Sequence, residues 1–239
     1  MGKAITIFFT VMLTISMTIA IVLTSVQLVA FNEGFYMKEF EKYDRAEATG
    51  MSYGQLREVA RAFIAYLSGQ SSELNMEVMV NGQQRMLFNE KELSHMDDVL
   101  GLFEGGFKVR LWSIILIAVS IIAIAVWGYK KGFAGILRAL IWASGVPLAL
   151  GGVIALLLAT NFDRWFIYFH LAFFDNDLWQ LDPSSDMLIN IFNEGFFADA
   201  AFQILIYAAI FLVLILIVSI IGIIYANKHV KLHEKNMIS

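Results

Sequence analysis

The 239 residues include no cysteine, only two prolines, only four histidines and few charges. Without thiols there is no disulfide, no Fe–S cluster, no Cys-ligated zinc and no cysteine nucleophile. Charged residues make up 16% of the chain and apolar residues 59%, against roughly 25% and 45–50% in soluble globular domains. The scarcity of charge is uneven. Four runs, Ile5–Phe31, Leu111–Gly128, Ala134–Thr160 and Ala200–Ala226, hold a single charged residue, Arg138, which lies close enough to a run's end to snorkel. Each is long enough for the ~20 apolar residues that a bilayer core requires. The expected fold is mainly α, a polytopic membrane protein with a four-helix transmembrane bundle. The first run is too long for a signal peptide, has only Lys3 as a basic start and lacks a small-x-small cleavage site, so it reads as an uncleaved anchor. No Asp, Glu, Lys or His stands at mid-bilayer depth, which argues against a pump or ion channel.

The segments between runs differ in sign. Lys3, Lys130, Lys131, Arg138, Lys228, Lys231 and Lys235 face one acid, Glu234, in the N-terminus, the short link and the tail. The two longer loops hold the remaining ten bases and twenty acids of the totals 17 and 21. Basic short segments stay in the cytoplasm. Both termini, the link 129–133 and the tail 227–239 are therefore expected inside, and loops 32–110 and 161–199 outside, on one membrane domain spanning 1–239. Thr6, Thr10, Thr14 and Thr18 recur every fourth position, with hydroxyls expected to bond back to their own helix. Gly135, Ala139, Ala143, Pro147, Gly151, Ala155 and Ala159 form a small-residue stripe suited to close helix packing.

The first outer loop reads as a small α+β subdomain of helix, β-hairpin and helix. Ser52 and Gln55 have capping-box spacing ahead of Leu56, Val59, Ala60, Phe63, Ile64 and Leu67 at helical period, and Gly69 stops that helix. Asn81-Gly82 between two short apolar runs predicts a type I′ hairpin. Asn89, with Glu92 three positions on, predicts the start of a helix that carries His95 and Asp98 on one face toward the membrane. The second outer loop reads as an amphipathic interfacial segment. Asp163, Ile167, His170 and Phe174 share a helical face within an aromatic stretch. Asp182 caps a short helix with Pro183 in its first position, and Asp186, Glu194 and Asp199 favour helix dipoles. His229 and His233 lie in the basic tail, so a shared His95/His170/Asp site at the outer interface is the sharpest candidate.

The chain resembles the lipoprotein intramolecular transacylase family, four-helix membrane enzymes of Gram-positive bacteria, over nearly its whole length. The resemblance rests on the anchor, the hairpin, Phe88-Asn89-Glu90 through His95-Met96-x-Asp98-Val99, and Arg110-Leu111-Trp112. Its most specific stretch is Phe169-His170-x-x-Phe173-Phe174-x-Asn176-Asp177-x-Trp179-x-Leu181-Asp182-Pro183-x-x-Asp186. It departs at Leu100, where a basic residue is usual, and at Asn193, where a proline is usual before Glu194. The resemblance implies transfer of the sn-2 acyl chain of a diacylglyceryl-cysteine to the α-amino group of the same cysteine, giving a lyso-form lipoprotein. On that reading His170 is the base toward the amine and His95 the acid toward the glycerol oxygen, or the reverse. Asp98 and either Asp175 or Asp177 are candidates to orient the rings or hold the ammonium. Tyr168, Asn176 and Trp179 are candidates for oxyanion or headgroup contacts, and Asp182 and Asp186 are candidate orienting or substrate-binding groups.

The partners expected are the diacylglyceryl lipoprotein and membrane lipids. No nucleic acid, cofactor or metal is expected, and the chain is expected to act as a monomer. Three alternatives stand beside this one. A serine route would use Ser94, Ser184 or Ser185. A metal-dependent lipid hydrolase would take His95, His170 and nearby carboxylates as ligands. A non-catalytic sensor would use the outer domain to bind a ligand.

Overall fold

A computed structural model of the chain describes residues 2–129 and 132–238, with side chains as far as Lys228. Lys130, Lys131 and the side chains of His229, Lys231, His233, Glu234 and Lys235, on which part of the charge argument rests, lie outside the described residues. The fold is mostly helical, with one two-stranded antiparallel sheet. Four helices are long and apolar enough to cross a membrane: α1 (Gly2–Ala30), α5 (Glu90–Trp127), α6 (Phe133–Thr160) and α9 (Glu194–Ile238, apolar as far as Lys228). The second of these is longer than the apolar run alone, because the helix that starts at Glu90 continues without a break through Leu111.

The chain forms two compact units. The first comprises residues 1–25, 108–155 and 205–239. Its centre is Leu13, Met17, Ile124, Ala139, Ala143 and Leu212, contributed by all four long helices. Ile7, Val11, Leu150, Val218 and Ile221 are exposed, as a bundle whose solvent is lipid requires. The threonines behave as their spacing predicts. Thr6, Thr14 and Thr18 donate to the carbonyls of Gly2, Thr10 and Thr14 at 2.9, 2.8 and 2.7 Å. The small-residue stripe of α6 is buried at Gly135, Ala139, Ala143 and Pro147. Close packing recurs at Gly222, where a Cβ would meet Leu137 Cδ1 at 2.9 Å.

The second unit comprises residues 26–107 and 156–204. Here α2 (Glu33–Lys42) and α3 (Arg45–Thr49) precede α4 (Tyr53–Leu67). The last has the complete capping box between Ser52 and Gln55 that its spacing predicts. Strands β1 (Glu77–Val80) and β2 (Gln83–Met86) pair in antiparallel register, Glu77 opposite Met86 and Val80 opposite Gln83. Asn81 and Gly82 take positive φ of 51° and 79°, the left-handed pair of a type I′ turn. That turn docks on Gly50, whose carbonyl accepts the Asn81 N–H at 3.1 Å. Gly50 itself has φ +69°, and a Cβ there would lie 2.3 Å from Asn81 Oδ1, so only glycine fits.

The core of this unit is aromatic. Phe35, Tyr36 and Phe40 of α2 interlock with Phe192 and Phe196, and Phe63 of α4 lies 4.6 Å from Phe192. The second loop departs from a single interfacial segment. It divides into α7 (Phe162–Phe173), a hydrogen-bonded turn and α8 (Met187–Ile191). The expected helix capped by Asp182 is instead that turn. Asp182 Oδ1 accepts the Ser184 N–H at 2.8 Å and its hydroxyl at 2.7 Å, and Asp182 O accepts the N–H groups of Ser185 and Asp186. An aspartate that satisfies the backbone two residues on favours a turn over a helix start. Asp186 is the residue that precedes the helix. Asp199 does not simply complement a dipole either, for it is bonded by Lys42 and by the Tyr43 hydroxyl.

Candidate functional site: a buried histidine pair

The start of α5 is built as its Asn89–Glu92 spacing predicts. Asn89 Oδ1 accepts the Glu92 N–H at 3.0 Å, and Glu92 Oε2 accepts the Asn89 N–H at 2.8 Å. The same two side chains also tie the first loop to the second. Glu92 Oε1 accepts the Leu188 N–H at 2.6 Å, and Asn89 Nδ2 donates to Asp186 Oδ1 at 2.9 Å. Asp186 is 4% exposed, and its other oxygen accepts the Asp182 N–H at 2.7 Å. Lys91 donates to Gln180 O at 2.6 Å and lies 3.6 Å from Asp186. Burial alone raises the Asp186 carboxyl, but the Asp182 N–H, Asn89, Ser185 and Lys91 outweigh it and hold it below the usual carboxylate range.

One turn beyond this clamp, α5 presents His95 and Asp98. Helix α7 is capped by Asn161, whose side chain accepts the Arg164 N–H at 3.0 Å, and presents His170 in its last turn. The two histidines are 7% and 6% exposed, and their rings stand 6.1 Å apart. Around His170 pack Phe166 at 4.3 Å, Phe174 at 5.6 Å and Trp179, stacked at 4.8 Å and 27°. Phe174 also meets His95 at 5.2 Å. His170 Nδ1 lies 2.7 Å from Phe166 O. A carbonyl only accepts, so Nδ1 carries the proton and Nε2 keeps the lone pair. Two buried nitrogens, His95 Nδ1 and Trp179 Nε1, have no hydrogen-bond partner among the described residues. Unpaired buried polar groups are costly, and here both sit beside His170.

The remaining residues named from the sequence divide into two groups. Asp98 is half-buried and accepts from Asn176 Nδ2 at 2.9 Å, while Asn176 Oδ1 accepts the Leu178 N–H at 3.0 Å. That amide is therefore engaged as a bridge between α5 and the loop. Tyr168 is 52% exposed and packs edge-on against Trp165, two positions and about 200° of helix from His170. Asp175 and Asp177 are exposed, and Asp177 accepts from Gln180 Nε2 at 2.8 Å. Ser184 and Ser185 give their hydroxyls to Asp182 and Asp186, and Ser94 is exposed, so none of these three serines is hydrogen-bonded to His95 or His170. Among the described residues no three His, Asp or Glu side chains converge as a metal ligand set. Sequence reasoning missed Phe166, whose carbonyl fixes the His170 tautomer. The signal was its spacing of four before His170.

Burial lowers the His95 pKa to about 4, with the neighbouring His170 adding to the effect and Asp98 opposing it. Burial also lowers His170, against the hydrogen bond to Phe166 O. Both are therefore neutral at neutral pH. Between about 4 and 6.5 the unfolded chain binds more protons at His95 than the folded one, so stability falls as pH is lowered through that window and is fully present above it. Thermal unfolding of the purified chain should give a Tm that declines from pH 7 to pH 4.5. His95→Gln should flatten that decline, and a slope unchanged by the substitution would contradict the assignment.

A family model described as lipoprotein intramolecular transacylase Lit matches residues 11–197. An uncharacterized protein of Aquifex aeolicus is 26% identical over 196 residues, covering 81% of this chain and 85% of its own length. A solved structure of the membrane-integral lipoprotein intramolecular transacylase of Bacillus cereus is similar at a TM-score of 0.71 and 21% identity, over 97% of this chain and 98% of that one. Another structure of the same protein, bearing a histidine-to-alanine mutation, matches at a TM-score of 0.68 over 97% of this chain and 96% of its own.

Proposed function

We propose that this chain, which belongs to the lipoprotein intramolecular transacylase family, moves the sn-2 acyl chain of a diacylglyceryl-modified N-terminal cysteine to that cysteine's own α-amino group. The observation that carries this reading is the buried pair itself: His170, its tautomer set by Phe166 O, facing His95 across 6.1 Å. An ester-to-amide shift needs little else. The amine attacks the ester carbonyl, a C–N bond forms, and His170 Nε2 takes the proton released from nitrogen. The proton passes from the His170 imidazolium to His95, and His95 delivers it to the glycerol oxygen as the tetrahedral intermediate expels it. Both rings end as neutral as they began, so the count closes within the pair. Donor and acceptor share one cysteine, which makes proximity a large part of the acceleration, and no acyl-enzyme is required. Resting neutrality suits this scheme, because a charged imidazolium would repel an ammonium and hold no lone pair for its proton.

Trp179 is the oxyanion donor. Its Nε1–H is buried and unpartnered, whereas the Asn176 amide is held between Asp98 and the Leu178 N–H, and Tyr168 is 52% exposed. Trp179→Phe keeps the ring stacked on His170 and removes only the N–H. It should lower kcat by about 10²–10³ with KM little changed, and an unchanged kcat would remove Trp179 from this role. Asp98, held by Asn176, is a positioning residue for α5. The catalytic layer lies on the extracytoplasmic side with both termini in the cytoplasm, a reading supported by the charge asymmetry of the loops. One chain supplies both histidines, which supports a monomer. Purified protein incubated with a synthetic diacylglyceryl-cysteine peptide tests the whole reading. Fragmentation of the product should find one acyl chain on nitrogen and one on glycerol, and recovery of unchanged peptide would overturn it.

A further inference from the structure

The chemistry above uses nothing from the first compact unit, yet that unit carries a groove of about 590 Å³ between α1 and α6. Its wall on α1 runs from Thr6 to Ile15, about 14 Å at the helical rise. Two of the three threonines there have their hydroxyls engaged. Thr6 bonds Gly2 O and accepts the Tyr129 N–H at 2.7 Å, and Thr14 bonds Thr10 O. Thr10 apart, the wall is largely apolar, and Val11 and Trp142, which also line it, are exposed. In a membrane-spanning bundle the medium around such a surface is acyl chains.

Charge makes the groove selective. Arg138 lines it, half-buried, and its one hydrogen bond among the described residues is a long 3.5 Å contact to Ala134 O of its own helix. Tyr129 lines it too, with Lys3 Nζ 5.1 Å above the ring. No carboxylate forms an ion pair with Arg138 among the described residues. None is near in sequence, for Glu234 is the only acid in the whole unit. A half-buried guanidinium in an apolar lining demands an anion, and its planar fork matches a phosphate.

We propose that this groove binds one anionic phospholipid, with an acyl chain along the threonine face of α1 and the headgroup phosphate on Arg138 beside Lys3 and Tyr129. The test is native mass spectrometry of the full chain released from neutral detergent, with added phosphatidylglycerol, phosphatidylcholine or inorganic phosphate. One phosphatidylglycerol should be retained per chain, with phosphatidylcholine at least about tenfold weaker and free phosphate unable to compete. Arg138→Gln should lower retention about tenfold or more, and Arg138→Lys by less. Val11→Trp, which fills the groove and leaves every charge in place, should lower it likewise. Equal retention of the two lipids, or undiminished retention in Arg138→Gln, overturns the proposal. Loss in Arg138→Gln without loss in Val11→Trp also overturns it, because the lipid would then be held by surface charge alone. A dimer that forms only while the groove is open would assign the surface to a second copy instead.

Discussion

Lipoprotein amino termini from cells expressing the His170→Ala chain should keep both acyl chains on glycerol, with lyso product reduced by about 10²–10⁴. His95→Ala should do the same. The effect is large because each imidazole is expected to carry a proton in the rate-limiting region of the reaction, in a site where both rings are less than a tenth exposed. The double variant should be little worse than either single one, since groups that act as a unit fail together rather than additively. His170→Ala also deletes a ring against which Phe166, Phe174 and Trp179 pack, so His170→Gln belongs beside it as a less disruptive change. Mass spectrometry of the N-terminal lipopeptides reads the outcome. Lyso product persisting from both alanine variants would sink the dihistidine scheme, while the family membership would stand.

Glu92→Ala should be the most destabilising substitution in the second compact unit, by about 3–5 kcal/mol, because two buried N–H groups lose their acceptor at once. The carboxylate is 1% exposed and takes one N–H from Asn89 and one from Leu188. For a chain of this size that corresponds to a fall in Tm of roughly 6–20 °C. Glu92→Gln keeps the shape and one acceptor oxygen, so it should cost about half as much. Activity should fall with stability, since His95 lies one turn further along the same helix. A thermal unfolding curve for each variant in detergent settles the point, and a Glu92→Ala chain as stable as its parent would show that the clamp contributes nothing.

These two residues also mark what was legible in the sequence. The Asn89–Glu92 spacing announced the helix start, as Ser52–Gln55 and Asn81–Gly82 announced theirs, because caps and turns are local and obey fixed offsets. The four long helices were equally plain, since a bilayer demands uninterrupted apolar length. The second task of Glu92 was not legible. Its partner Leu188 lies 96 positions away, and no periodicity encodes a contact with a backbone N–H. Helices α2 and α3 escaped for a related reason. Their apolar residues Phe35, Tyr36 and Phe40 are few and their neighbours charged, so they look like linker until Phe192 and Phe196 supply the other half of the core. Asp182-Pro183 misled because an aspartate before proline fits a helix cap and a turn equally well, and Ser184 decides between them. In the site, both histidines were visible as titratable groups close to a membrane boundary. The carbonyl of Phe166 and the unpaired indole nitrogen of Trp179 became visible only once α7 and the loop after it were folded.

The aromatic enclosure of His170 has a consequence for fidelity. An ester attacked by an amine is equally open to water, and hydrolysis would discard the fatty acid instead of relocating it. Phe166, Phe174 and Trp179 pack against the imidazole and leave the residue 6% exposed, which narrows the way in for solvent. Under the proposed function, the wall that depresses the histidine pKa would also bias the fate of the acyl group, and its tightness would appear as the ratio of amide formed to free fatty acid lost.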